Sequence, residues 1–213
     1  FEGAYQNLQN PSGDEYEYAK GNYCNTVGFE LPLTDKAIVN FAFIGTDTDV
    51  PTTTRATNAA SPVVPVQTGA FNTSADIARL RITEVDETGL TTDFKSLTFN
   101  INNNVSPEKV LGQLGAKYLN TGNFEIDIEA QILFTEGDVV DAVRNNTTVT
   151  MDFSIKNDDG GFLVDVPSLT LGGGDKEFPV NESILLNTTA QAFGDTTLGT
   201  SLGISMFPYL PSS

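Results

Sequence analysis

Three carboxylates stand at alternate positions in the run Phe124-Glu125-Ile126-Asp127-Ile128-Glu129-Ala130-Gln131-Ile132-Leu133-Phe134. A strand turns successive side chains to opposite faces, so Glu125, Asp127 and Glu129 share one face with Gln131. Phe124, Ile126, Ile128, Ala130 and Ile132 share the other. Such a run would reach about 36 Å at roughly 3.3 Å per residue, long for a globular strand. Paired carboxylates can hydrolyse a glycoside without histidine. These acids, however, line one strand face instead of flanking a cleft, and the chain has no Trp, which sugar-binding clefts usually carry. Like charges side by side repel and contribute nothing to folding. Two readings remain: a solvated face that maintains solubility, or a surface whose negative charge is its purpose.

Other chemistries fare worse. Histidine is absent and cysteine occurs once, at Cys24. Triad catalysis through histidine, the usual zinc sites and an internal disulfide are therefore excluded within one chain. Cys24 reads as a small buried apolar residue. Asp158-Asp159-Gly160 hints at calcium, but the spaced ligands and closing Glu of an EF-hand loop are missing, so a hairpin turn is expected. Gly172-Gly173-Gly174 reads as flexible and lacks the Gly-Lys-Ser/Thr ending of a phosphate loop. No cofactor or metal is expected, and the chain is not read as an enzyme. Six Asn-x-Ser/Thr matches fit chance in so Asn- and Thr-rich a chain.

Composition sets the frame. The 213 residues suggest one large domain or two small ones. Lys and Arg number 11 against 28 Asp and Glu, a net charge of −17. That balance opposes gripping nucleic acid, which needs a basic footprint, but not letting it pass without sticking. No apolar run approaches the length of a membrane-crossing helix, so no membrane insertion is expected. The opening at Phe1 shows no charged-then-apolar leader. β-branched and aromatic residues with frequent Gly, Asn and Asp turns predict a mostly β fold.

The elements follow in order. Asp14–Tyr18 predicts a short strand. Thr26–Leu33 and Ala37–Gly45 predict a hairpin around Thr34-Asp35-Lys36. Residues 46–74, punctuated by Pro51, Pro62 and Pro65, show no periodicity and predict an extended loop or arm. Val63, Val64 and Val66 give that arm something apolar to bury, and Pro51 and Arg55 are further contact candidates on it. Residues 77–85 and 96–102 predict strands, the latter with Leu97, Phe99 and Ile101 inward. Ser106-Pro107 is a helix-start signal, predicting a short turn of helix near 107–113. Val139, Val140 and Val143 predict a helix over about 138–144. Strands are predicted over 147–155 and 162–171, with Pro167 marking an edge or a bulge. Two more follow over 183–193 and 198–207.

This order resembles the phage tail tube (major tail) proteins of long, non-contractile tails. The resemblance rests on Gly122 through Thr135, then Asp138–Arg144, then Asn145-Asn146-Thr147-Thr148-Val149-Thr150. It continues through the Asn157–Gly161 turn, Leu169-Thr170-Leu171-Gly172-Gly173-Gly174, and Thr200 through Pro208. It implies a two-sheet β-sandwich or barrel with one short flanking helix, residues 1–213 forming a single tail-tube domain. It also implies N-terminal strands preceding Phe1, so the chain is expected to lack an N-terminal portion.

The implied function is that of a structural virion protein. Six copies would close a ring, rings would stack, and DNA would traverse the bore during ejection. The implied partners are further copies of the chain, the tape measure protein and viral DNA held without specific binding. The implied location is the virion tail, after synthesis in the bacterial cytoplasm. Glu125, Asp127 and Glu129 become lumen-lining candidates. Pro51, Arg55, Val63, Val64 and Val66 become candidates for the contact between rings. The competing reading is a β-sandwich adhesin or surface-layer module with 46–74 as its recognition loop.

Overall fold

The computed structural model describes residues 1–6, 13–61, 68–84, 89–91, 93–134 and 137–207. The strands are β1 (Glu2–Gln6), β2 (Asp14–Lys20), β3 (Tyr23–Leu31), β4 (Ile38–Ile44), β5 (Asp47–Thr48), β6 (Ile77–Glu84), β7 (Gly89–Thr91) and β8 (Phe94–Asn102). They continue as β9 (Ser106–Lys109), β10 (Ala116–Asn120), β11 (Glu125–Leu133), β12 (Thr148–Asn157), β13 (Gly160–Glu177), β14 (Leu185–Ala192) and β15 (Gly203–Phe207). A helix, α1 (Asp138–Arg144), lies between β11 and β12. The class is mostly β, as composition predicts.

The main sheet has ten strands in the order β4-β3-β8-β11-β14-β13-β12-β6-β7, with β15 paired to β13. The chain divides into two compact units, one of Phe1–Val27, Phe41–Gln67 and Asn102–Phe124, the other of Gly28–Asn40, Thr68–Ile101 and Glu125–Ser213.

The larger unit holds the core. Its strands bury one face with the period-two pattern: Leu97, Phe99 and Ile101 on β8, and Ile126, Ile128, Ala130 and Ile132 on β11. Val149, Met151, Phe153 and Ile155 do the same on β12. The sheet curls into a half-barrel, and aromatic contacts record the closure. Phe29 on β3 lies 6.3 Å from Phe153 on β12 and 5.7 Å from Phe162 on β13, centroid to centroid. Phe99 on β8 lies 6.2 Å from Phe153. Strands distant in the hydrogen-bonded order thus share one aromatic cluster, and each such pair adds about 0.5–1.5 kcal/mol beyond area burial.

Helix α1 occupies the predicted residues. Asp138 and Asp141 sit in its first turn and Arg144 in its last, matching the helix dipole. Val139 and Ala142 are its buried side chains, and it packs on β13. Pro167 sits at a bulge, where the β12–β13 register shifts between Val149↔Leu169 and Met151↔Val166.

Three expectations are corrected. The triple glycine is not a flexible loop: it continues β13 against β14, with a register shift between Gly173 and Asp175. Gly173 and Gly174 adopt φ of 75° and 93°, a left-handed conformation that lets the strand bend without breaking. Phe124 precedes β11 and is about half exposed instead of joining the buried face. Cys24 is half-buried, its Sγ 3.6 Å from the Thr26 carbonyl oxygen.

The smaller unit corrects a fourth. Residues predicted as helix near 107–113 form β9 and a turn, with β9 antiparallel to β10. The Ser-Pro start signal is real, but Gly112 follows too soon for an apolar stripe to build a helix. Gly112 takes φ 84°, and the Gln113 N–H donates to the Val110 carbonyl at 3.4 Å to close a tight turn. The same unit contains the β1–β2 hairpin, with β5 paired to β2.

Candidate functional site

On β11 the alternation resolves as read: Glu125 is half-buried, Asp127 and Glu129 are exposed, and the isoleucines between them are buried. Side chains two apart on a strand are about 6.5–7 Å apart, so the acids form a row without touching. The neighbouring strand extends the face with neutral groups. Asp127 stands opposite Gln191, Glu129 opposite Thr189 and Gln131 opposite Asn187. Gln131 Nε2 donates to Asn187 Oδ1 at 3.2 Å. β13 continues the row, with Thr170 opposite Gln191 and Gly172 opposite Thr189. A shallow groove follows this face, bordered by Asn100, Asp127, Glu129, Thr170, Thr189 and Gln191 and by no Lys or Arg. Such a face offers fixed negative charge and hydrogen-bonding groups, but no nucleophile held against a base. Among the described residues, no group of three or more His, Cys, Asp or Glu converges to hold a metal.

A second polar group lies on β6, β12 and β13. Asp152, nearly buried, stands opposite Arg81 on β6 and Asp165 on β13. Arg81 Nε donates to its Oδ2 at 2.7 Å and Arg79 Nη2 to the same oxygen at 3.0 Å. Arg79 Nε is also 2.5 Å from Oδ1, in a contact that is ionic and not an aligned hydrogen bond. Burial, and then the neighbouring Asp152 charge, push the Asp165 carboxyl above the usual range, with Arg81 opposing. Nearby, Asp195 accepts the Leu198 N–H at 2.7 Å, the Ser168 hydroxyl at 2.9 Å and the Thr197 N–H at 2.8 Å. These bonds, led by the Leu198 N–H, hold its carboxyl below the usual range. These contacts tie adjacent strands together. Sequence reading missed them because the partners are 71 to 73 residues apart and meet only through strand register; the one signal was a lone acid inside the apolar run of β12.

The arm candidates divide. Arg55 donates through Nε and Nη2 to the two Glu2 carboxylate oxygens at 2.8 and 2.7 Å, and to the Ala60 carbonyl at 2.6 Å. The Arg55 hydrogen bonds are the main reason that the Glu2 carboxyl sits below its ordinary range. The Ala56 N–H donates to the Tyr18 hydroxyl, and Thr52 bridges to Tyr16. Residues 47–56 of the arm are thus fastened to β1 and β2 of their own unit, with Pro51 exposed, whereas Phe71 and Thr73 pair with Ala37 and Asp35. Val63, Val64 and Val66 lie outside the described residues.

The Asp158-Asp159-Gly160 hairpin is a turn. Asp159 accepts the Gly69 N–H at 2.9 Å, and Asn157 Nδ2 donates to the Gly69 carbonyl at 3.0 Å.

A family model described as phage tail tube protein matches residues 3–193. The chain belongs to the phage tail tube protein family. No curated protein matches it. Membership in the tail tube family gives it a structural role in the virion tail, as part of an oligomeric assembly. No helix among the described residues is long and apolar enough to cross a membrane.

Proposed function

We propose that this tail tube protein is the repeating subunit of a hollow cylinder, its two compact units acting as one tube domain. Six copies close each ring, rings stack, and Glu125, Asp127 and Glu129 line an anionic bore traversed by viral DNA and occupied beforehand by the tape measure protein. The subunit is made in the bacterial cytoplasm before assembly. The observation that carries this reading is the β11 face, where exposed acids are flanked only by neutral polar groups while the opposite face is core.

DNA carries about one negative charge per 1.7 Å of axis. A basic bore would hold it at every ring, whereas a carboxylate-lined bore repels phosphate and leaves the duplex free to slide. Screening limits that repulsion to about 8 Å at physiological salt, so the acids must stand on the bore surface itself.

The sheet margins support ring closure. β4, terminal in the strand order, is exposed at nearly every position. β15 ends the sheet beside β13 and carries exposed Ile204, Met206 and Phe207. Neither contains a charged residue, in a chain with 28 acids and 11 bases. Soluble edge strands are ordinarily protected by charge or proline; unprotected apolar edges fit pairing between copies. In stacking, the 46–74 arm, with Pro51, Arg55, Val63, Val64 and Val66, contributes to the contact with the next ring.

Electron microscopy of the purified protein tests assembly, with hollow tubes or six-fold rings expected and dispersed monomers counting against it. Virions carrying Asp127→Lys and Glu129→Lys test the bore. Assembled tails with at least ten-fold lower DNA delivery are expected, and unchanged delivery would remove the lumen assignment.

A further inference from the structure

Two turns hold apolar side chains that their own chain leaves uncovered. At the β9–β10 turn, Leu111 is 103% and Leu114 90% exposed. At the β13–β14 connection, Phe178 is 70% and Val180 86% exposed. Fully burying a side chain of this size contributes about 1.5–3 kcal/mol, so each turn leaves substantial stabilisation unused.

Both turns stand on fixed bases. The Ala116 N–H donates to the Thr46 carbonyl at 2.7 Å, and Gly115 packs so closely that a Cβ there would fall 2.6 Å from the same oxygen. In the second turn Pro179 and Asn181, the latter at φ 61°, restrict the backbone. Asn187 Nδ2 donates to Glu177 Oε1 at 2.5 Å at its base. Apolar groups presented on a constrained backbone lose little entropy on docking.

The flanking charges are opposite. Lys109 and Lys117 border the first turn, where residues 106–120 hold these two lysines against Glu108 alone, in a chain of net charge −17. Residues 175–182 at the second hold Asp175, Glu177 and Glu182 against Lys176, whose Nζ lies 3.9 Å from the Phe134 ring centroid.

We propose that the β9–β10 turn of one copy seats on the β13–β14 turn of a second copy. Leu111 and Leu114 pack on Phe178 and Val180, while Lys109 and Lys117 face Glu177 and Glu182. The proposal rests on the reading of the chain as a tube subunit. The contact uses two different surfaces, so each copy offers a fresh socket to the next and growth continues without saturating. The apolar centre supplies affinity; the charged rim supplies orientation and association rate.

The test is a charge exchange followed by microscopy and light scattering of tube growth. Lys109→Glu with Lys117→Glu is expected to slow growth at least ten-fold, as is Glu177→Lys with Glu182→Lys. In a mixture of these two variants opposite charges meet wherever unlike copies touch, and in the four-fold variant they meet at every contact; both should regain growth. Leu111→Ser with Leu114→Ser should abolish growth without altering circular dichroism, since neither side chain is packed. Growth unchanged by the serine or lysine variants overturns the contact, and loss in both charge variants without recovery in the four-fold variant overturns the pairing. Failure of the unmodified protein to form tubes would instead remove the subunit reading on which the contact rests.

Discussion

Phe153→Ala is the most direct probe of how the sheet curls. Phe153 is fully buried on β12, with ring centroids of Phe29, Phe99 and Phe162 at 6.3, 6.2 and 6.0 Å. Truncating a buried phenylalanine removes its transfer energy and leaves a cavity, a loss of about 3–5 kcal/mol. With a urea m-value of about 2–3 kcal/mol/M, the unfolding midpoint should fall by roughly 1–2 M. That loss alone reports burial. The informative quantity is the coupling between Phe153→Ala and Phe29→Ala, because β3 and β12 are far apart in the strand order and meet only if the sheet curls. An edge-to-face aromatic pair predicts a coupling of about 0.5–1.5 kcal/mol. Urea unfolding of the two single variants and the double variant, followed by circular dichroism before assembly, measures it. Additivity within about 0.3–0.5 kcal/mol would refute the contact and with it the curl.

Other outcomes follow from the glycine bulge and the titrating acids. Gly173→Ala places a Cβ on a backbone with φ 75° and 3.1 Å from the Asn187 carbonyl, and should lower stability by about 1–2 kcal/mol, read as a midpoint shift in the same unfolding assay. Asp165 holds its proton more tightly folded than unfolded, so its contribution is favourable in acid and is lost as pH rises through its elevated pKa. Asp165→Asn should therefore be more stable than the parent at neutral pH, with the gain vanishing below the ordinary aspartate pKa. Asp195 has the opposite sign: its lowered pKa contributes stability above the ordinary aspartate value, lost as pH falls through its folded pKa. Asp195→Ala should destabilise at neutral pH and converge on the parent in acid, as thermal unfolding across a pH series would register.

The sequence was legible where local pattern and tertiary role agree. β11 must bury one face and wet the other, so its alternation reads directly. The spacing of Val139, Val140 and Val143 gives α1 its place, although the side chains it buries are Val139 and Ala142, and Pro167 marks a bulge because its missing N–H cannot serve an unbroken ladder. Reading failed where a local signal was outweighed by a partner elsewhere. Ser106-Pro107 signals a helix start, yet β10 supplies a strand partner and Gly112 a turn. The three glycines look flexible alone, but β14 supplies the ladder that holds them in β13. The Arg79–Asp152–Arg81 group depends on register between strands, which no local pattern encodes. The acidic row was readable as a row; its use depends on what faces it in the assembled tail.

The most direct measurement is a cryo-electron microscopy map of the assembled tube, at a resolution that places side chains. β11 is expected to face the central channel, with Glu125, Asp127 and Glu129 of every subunit on the bore and β4 hydrogen-bonded to a strand of the neighbouring copy. A map with those carboxylates on the outer surface, or a bore lined by lysine and arginine, would contradict it.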